Sequence, residues 1–136
     1  MNYVYNKKII YTAYFVMYPE KLLHIFPPKH TKIFAHHLTI AFKPNSLENI
    51  EIGKKSILKI IGRVFDEKGD ALLVKTDKSN KKYPHITISC NQFIDPIYSD
   101  EMIERAFKNN TVEFLDSPIE IEVIEGYFDG ENDIIQ

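Results

Sequence analysis

An α+β domain is the fold class this chain predicts, and three observations predict it. Runs of β-branched and aromatic residues recur along the 136 residues, as strands require. Two stretches between them carry helical signals. Two tetrapeptides repeat one pattern, His37-Leu38-Thr39-Ile40 and His85-Ile86-Thr87-Ile88: histidine, apolar residue, threonine, apolar residue.

In chain order, residues 9–17 (IIYTAYFVM) read as a strand. Pro19 starts a short helix through Phe26, with Leu22, Leu23 and Phe26 apolar, and Pro27-Pro28 end it. Ala35–Phe42 is the first motif strand, closed by Pro44, and 46–55 carries no pattern. Ser56–Phe65 and Ala71–Thr76 form a hairpin about Glu67–Asp70, where Gly69 is expected to supply positive φ. A lysine-rich loop, 77–82, leads into the second motif strand from Tyr83. Ser99–Asn109 reads as a helix capped by Ser99, with Met102, Ile103, Ala106 and Phe107 on one face. Ile119–Phe128 is the last strand, and the acidic tail 129–136 is expected to fray.

Strand alternation gives the motifs their meaning. His37 and Thr39 face one side and Leu38 and Ile40 the other; the same holds for His85 and Thr87 against Ile86 and Ile88. The apolar sets, with Phe34, Phe42 and Cys90, are assigned to a core. Ala35, Ala41, Lys43, Ser89 and Asn91 join the His–Thr faces, which are assigned to a cleft. His36 falls on the core parity and reads as a structural, hydrogen-bonded residue. A metal reading with His36, His37 and His85 fails, because adjacent strand residues point apart and no carboxylate lies at a matching spacing. His24 and His30 read as surface residues.

Composition sets the bounds. One domain over 1–136, with 44% hydrophobic and 12% aromatic residues, can build its own core. A single cysteine, Cys90, excludes an internal disulfide and reads as a small buried hydrophobe. The opening MNYVYNKKII lacks the apolar stretch of a signal peptide, no segment is long enough to cross a membrane, and the expected location is cytoplasmic. The net charge of −2 hides a division: residues 1–82 hold 15 of the 17 Lys and Arg, and 83–136 hold 12 of the 19 Asp and Glu. The reading adopted is that the halves fold together and neutralise one another as solvated faces.

Two imidazoles and two hydroxyls on one groove suit acid–base chemistry on a phosphate ester without a metal. Imidazole both accepts and donates a proton near neutral pH. Thr39 and Thr87 would donate hydrogen bonds to nonbridging oxygens as charge builds there. Lys43 would add positive charge at the cleft edge. Ser89 lies on the same face, and Tyr14 and Tyr98 are candidates to stack on a base. Which histidine is acid and which is base is left open by the sequence.

The duplicated H-x-T resembles the signature of the 2H phosphoesterase superfamily, and the likeness extends to HHLTIAFKP (36–44), IIGRVFDEKGDALLVKT (60–76), YPHITIS (83–89) and DPIYSDEMIE (95–104). In order, these are similar to the cyclic phosphodiesterase domain of fungal-type tRNA ligases and RNA-repair proteins. The resemblance covers roughly residues 11–128. It implies a bilobal fold, antiparallel sheets around a central cleft with flanking helices, and no cofactor. It implies hydrolysis of 2′,3′-cyclic phosphate ends of RNA or small nucleotides to a 2′-phosphate, in RNA repair or tRNA splicing. Two alternatives go with it: hydrolysis of 2′–5′ oligoadenylate or cyclic-nucleotide immune signals, and a non-catalytic module that binds RNA ends or nucleotides. The expected catalytic set is His37, Thr39, His85 and Thr87, in a monomer with no membrane partner.

Overall fold

A computed structural model describes residues 8–136. Residues 1–7, with Lys7 of the basic stretch and most of the opening segment read for a signal peptide, lie outside the described residues. The elements are β1 (Tyr11–Val16), α1 (Pro19–Ile25), β2 (Lys32–Ile33), β3 (His37–Phe42), β4 (Lys55–Phe65), β5 (Gly69–Lys75), β6 (His85–Cys90), α2 (Tyr98–Asn109), β7 (Glu113–Phe128) and β8 (Asp133–Ile134).

The bilobal α+β expectation is overturned. The described chain is mostly sheet, 43% strand against 15% helix, and six antiparallel strands close into a barrel. The order runs β1-β3-β6-β5-β4-β7, and β7 pairs back onto β1. The cause lies in β7. The sequence pattern marks only Ile119–Phe128 as strand, yet the strand is 16 residues long. It pairs with β4 along one edge and β1 along the other, so no gap is left between two lobes. Closure also removes the exposed sheet edges that would otherwise invite pairing with another chain.

Alternation fills the barrel. Leu38 and Ile40, Ile60, Leu72 and Val74, Ile86 and Ile88, and Ile121 and Val123 meet inside, joined by Tyr14 from β1 and by Leu22 and Phe26 from α1. Burial of each such side chain contributes roughly 1.5–3 kcal/mol. A second cluster lies outside the wall, where Met102, Ile103 and Ala106 of α2 cover Val64, Ala71 and Leu73. β5 is thus buried on both faces, which accounts for its unbroken apolar run Ala71–Val74.

Several local expectations change. Gly69 is not left-handed; a Cβ there would press on Tyr98 and Met102, so glycine lets α2 approach the hairpin. The turn is held instead by Asp66 Oδ1, which accepts from the amides of Lys68 and Gly69 at 2.8 and 2.9 Å. The helix cap is Ile97 with no side-chain bond, and Ser99 sits inside the first turn, buried against the barrel. Asn110 does end α2 with a left-handed φ of 55°. The tail pairs rather than frays: β8 runs beside Tyr127 and Phe128.

The two charge halves meet, though one of the acids, Glu125, is buried rather than on a solvated face. Lys78–Glu125 (2.5 Å), Lys81–Asp100 (2.9 Å) and Lys82–Glu104 (3.3 Å) each join an early lysine to a late acid. No helix among the described residues is long and apolar enough to cross a membrane.

Candidate functional site

β3 and β6 are neighbours in the barrel wall, antiparallel, with Leu38 opposite Ile86. One step either side of that pair, His37 lies beside Thr87 and Thr39 beside His85. Because Leu38, Ile40, Ile86 and Ile88 point inward, the four motif side chains point outward. There they line a single cavity of about 680 Å³, within the ~300–1,000 Å³ typical of small-molecule sites. The segment entering α2 (Asp95, Pro96, Ile97, Asp100) and Lys81 form part of its lining, as do Tyr11, Ile33, Phe34, His36 and Phe42.

His85 is held firmly. Its Nδ1–H donates to the Tyr83 carbonyl at 2.8 Å, since a carbonyl only accepts. That leaves Nε2 for chemistry, 4.0 Å from Asp100 Oδ1. Burial lowers the His85 pKa, while the Tyr83 carbonyl and the Asp100 charge act against that. Asp100 is itself paired with Lys81.

His37 is tuned differently. Burial, then the neighbouring His36, His85 and Lys81, push its pKa down to about 3. Its ring stacks on Tyr11 with centroids 4.4 Å apart and planes 17° from parallel. Burial and the Asp133 charge raise the Tyr11 phenol above its usual range, so it stays protonated. At neutral pH His37 is therefore a neutral imidazole, able to take a proton.

The threonines differ too. Thr87 Oγ1 shares a 2.8 Å hydrogen bond with the buried Ser99 Oγ, so Ser99 orients it. Thr39 Oγ1 has no hydrogen-bond partner among the described residues; its carbonyl accepts from Ser79 at 2.7 Å.

The other four candidates lie elsewhere. Tyr14 is 7% exposed, in the barrel interior. Ser89 is fully buried and donates to Asp70 Oδ2 at 2.9 Å, within the Arg63–Asp70 ion pair. Tyr98 donates to Asp66 beside Arg105, away from the cavity lining. Lys43 stands just past β3 with a left-handed φ of 45°, and its Nζ lies over the Phe42 ring rather than in the lining.

Bulges explain the parity errors. Against β1, register slips between Thr12–Ala41 and Ala13–Thr39, and against β5 between Asp70–Ser89 and Ala71–Thr87. Each slip inserts one residue, Ile40 or Ile88, directly after a motif threonine. Beyond it the faces exchange: Phe42, assigned to the core, lines the cavity, and Ser89, assigned to the cleft, is buried. Ala35, also assigned to the cleft, is buried because its φ of 49° breaks the alternation before β3. The same break frees His36 from the core parity and swings it toward the cavity. His24 is exposed as expected, whereas His30 is partly buried, its Nε2 2.8 Å from the Asp66 carbonyl.

Sequence reasoning did not select Tyr11, His36, Lys81, Ser99, Asp100 or Asp133. Ser99 and Asp100 carried a usable signal, being polar residues at the helix start just after the second motif. Asp133 carried none.

Comparison of the chain with protein-family models and with curated proteins finds no match in either. The likeness to 2H phosphoesterases rests on the motifs.

Proposed function

We propose that the chain is a 2H-type, metal-independent phosphodiesterase that opens 2′,3′-cyclic phosphate ends of RNA or nucleotides. The observation that carries this reading is the convergence of two imidazoles and two threonine hydroxyls on one cavity. His37, neutral by burial, suits the base: its Nε2 would take a proton from water as the oxygen attacks phosphorus. His85, with Asp100 beside Nε2, suits the acid: its Nε2–H would protonate the leaving ribose 3′ oxygen, which yields a 2′-phosphate. The cycle ends with His37 protonated and His85 neutral, and solvent exchange resets both. Thr39 and Thr87 would donate to the nonbridging oxygens, and Lys81 would offset their charge. Ile33, Phe34, Phe42 and Ile97 give an apolar wall for a nucleobase. The buried single cysteine on β6 fits a reducing compartment such as the cytosol.

The test is a panel: 2′,3′-cyclic mononucleotides, RNA with a cyclic end, 2′–5′ oligoadenylate and cyclic dinucleotides, each with EDTA. Turnover of cyclic ends supports the reading; turnover of 2′–5′ oligoadenylate or cyclic dinucleotides alone moves it to signal hydrolysis. One observation favours a non-catalytic module: burial disfavours the charged form of both histidines. Tight binding of a 2′-phosphate or cyclic end with no turnover at any pH would establish that alternative.

A further inference from the structure

His36 and the tail strand together form a second layer behind His37. His36 Nε2 lies 2.7 Å from Asp133 Oδ2, and His36 Nδ1 lies 2.9 Å from His37 Nδ1. The carboxylate only accepts, so His36 donates from Nε2. When that is the one proton on its ring, His36 accepts at Nδ1 and His37 donates from its own Nδ1. That leaves the His37 Nε2 lone pair for the cavity.

From this geometry we infer that Asp133 and His36 are positioning residues, which set the tautomer of His37 and steady the imidazolium it becomes on taking a proton. This rests on the phosphodiesterase reading for the proton's source, though not for the tautomer. A buried imidazole of low basicity needs a counter-charge when it turns cationic, and Asp133 supplies one through His36. The other groups facing His37 do not. Tyr11, on β1, stays a neutral phenol, 3.4 Å from the same Nδ1. His85, on β6, and Lys81, in the loop before it, are neutral or cationic. The two histidines of the motif thus have different supports, a carbonyl and Asp100 for His85, a histidine and Asp133 for His37.

The fold seats the carboxylate through a close strand pairing. β8 approaches β7 through the pairs Tyr127–Ile134 and Phe128–Asp133. A Cβ on Gly126 would collide with the Ile134 carbonyl, so only glycine lets the tail strand lie this close. Gly126→Ala should displace β8, and Asp133 with it, without touching the cavity.

The experiment uses the full chain labelled with ¹⁵N in its histidine rings. Asp133→Asn and His36→Phe are low-risk for folding, since the two side chains are 36% and 44% exposed. In the wild type, His37 should carry its proton on Nδ1. In Asp133→Asn, His36→Phe and Gly126→Ala, the resonances should move toward a mixture of tautomers. On the best substrate of the panel, kcat should fall roughly 10–10²-fold with KM little changed, well short of the ~10⁴ cost of a buried triad carboxylate. In Asp133→Asn and Gly126→Ala the acid limb of the rate profile should move to lower pH, because His37 loses the anion that favours its charged form. Free imidazole should partly rescue His36→Gly. An unchanged His37 tautomer in all three variants overturns the inference. If the wild type turns over nothing, the phosphodiesterase reading falls and the tautomer measurement still decides this one.

Discussion

Replacing Asp100 by Asn removes the one acidic side chain among the described residues that opposes the neutralisation of His85. At 4.0 Å, a unit charge pair is worth ~4 kcal/mol at an effective dielectric of 20 and ~1 kcal/mol in water. The Asp100 side chain is 42% exposed, so the lower figure governs. The same substitution releases Lys81, now 2.9 Å from the Asp100 carboxylate, and its unpaired positive charge acts against protonated His85 in the same direction. A loss of about 1–2 kcal/mol corresponds to roughly 5–30-fold in the equilibrium between the two forms. The effect has a sign in pH. An acid catalyst is active below its pKa, and Asp100→Asn makes His85 harder to protonate. The alkaline limb of kcat/KM should therefore move to lower pH, with a rate loss of about that size above the limb and little loss well below it. Steady-state kinetics across pH 4–9 on a 2′,3′-cyclic nucleotide, with an NMR titration of His85, reads both. Superimposable profiles for Asp100→Asn and wild type would refute the assignment of His85 as acid.

Other expectations follow from the same geometry. His37→Ala or His85→Ala should each cost on the order of 10²–10⁴ in kcat, and Thr39→Val or Thr87→Val up to about 10²–10³, read in single-turnover assays with EDTA present. Restoration of full rate only by Mn²⁺ or Zn²⁺ would contradict the acid–base scheme. Acid should destabilise the fold through His37: its folded pKa lies below its unfolded value, so the contribution is complete above about pH 6.5 and is lost as pH falls toward about 3. Each tenfold weakening of proton binding on folding is worth about 1.4 kcal/mol, so urea denaturation at pH 7 and pH 4 should differ by up to several kcal/mol. His37→Phe should flatten that dependence, and persistence of the full dependence in this variant would place the titrating group elsewhere.

How much of this was readable from the chain follows from how far each signal reaches. The two H-x-T patterns and the strands that carry them were legible because alternation is local: Leu38 and Ile86 are fully buried while His37, Thr39, His85 and Thr87 share one cavity. Both helices were legible from Pro19 and from the apolar face of Met102, Ile103 and Ala106. Barrel closure was not, because it depends on β7 pairing at both edges, and Glu113–Pro118 carries little strand signal. Tyr14, Ser89, Tyr98 and Lys43 were chosen by residue type and parity. Burial, bulges and a left-handed φ then took them out of the cavity lining. Asp133 reaches His36 across 97 residues, a distance no local pattern spans.

The repeat runs deeper than its letters. In both tetrapeptides the fourth residue, Ile40 or Ile88, is the extra residue of a bulge. In both, the strand opposite presents an alanine to the threonine, Ala13 to Thr39 and Ala71 to Thr87. Both alanines are fully buried. A bulge adds local twist and re-aims the side chains beside it, and here it does so at equivalent points of adjacent strands. The small partner leaves room for that twist, which gives the alanines a reason beyond propensity, since alanine is a weak strand former. If the two bulges are equivalent, Ala13→Val and Ala71→Val are equivalent perturbations. Each adds two methyl carbons where a threonine and a packed wall already meet, and overpacking of that kind costs roughly 1–3 kcal/mol. Urea denaturation should find both variants destabilised within that range, and the cavity histidines should shift in NMR spectra of each. A large effect at one position with none at the other would show that the two motifs share a sequence pattern and not a structural device.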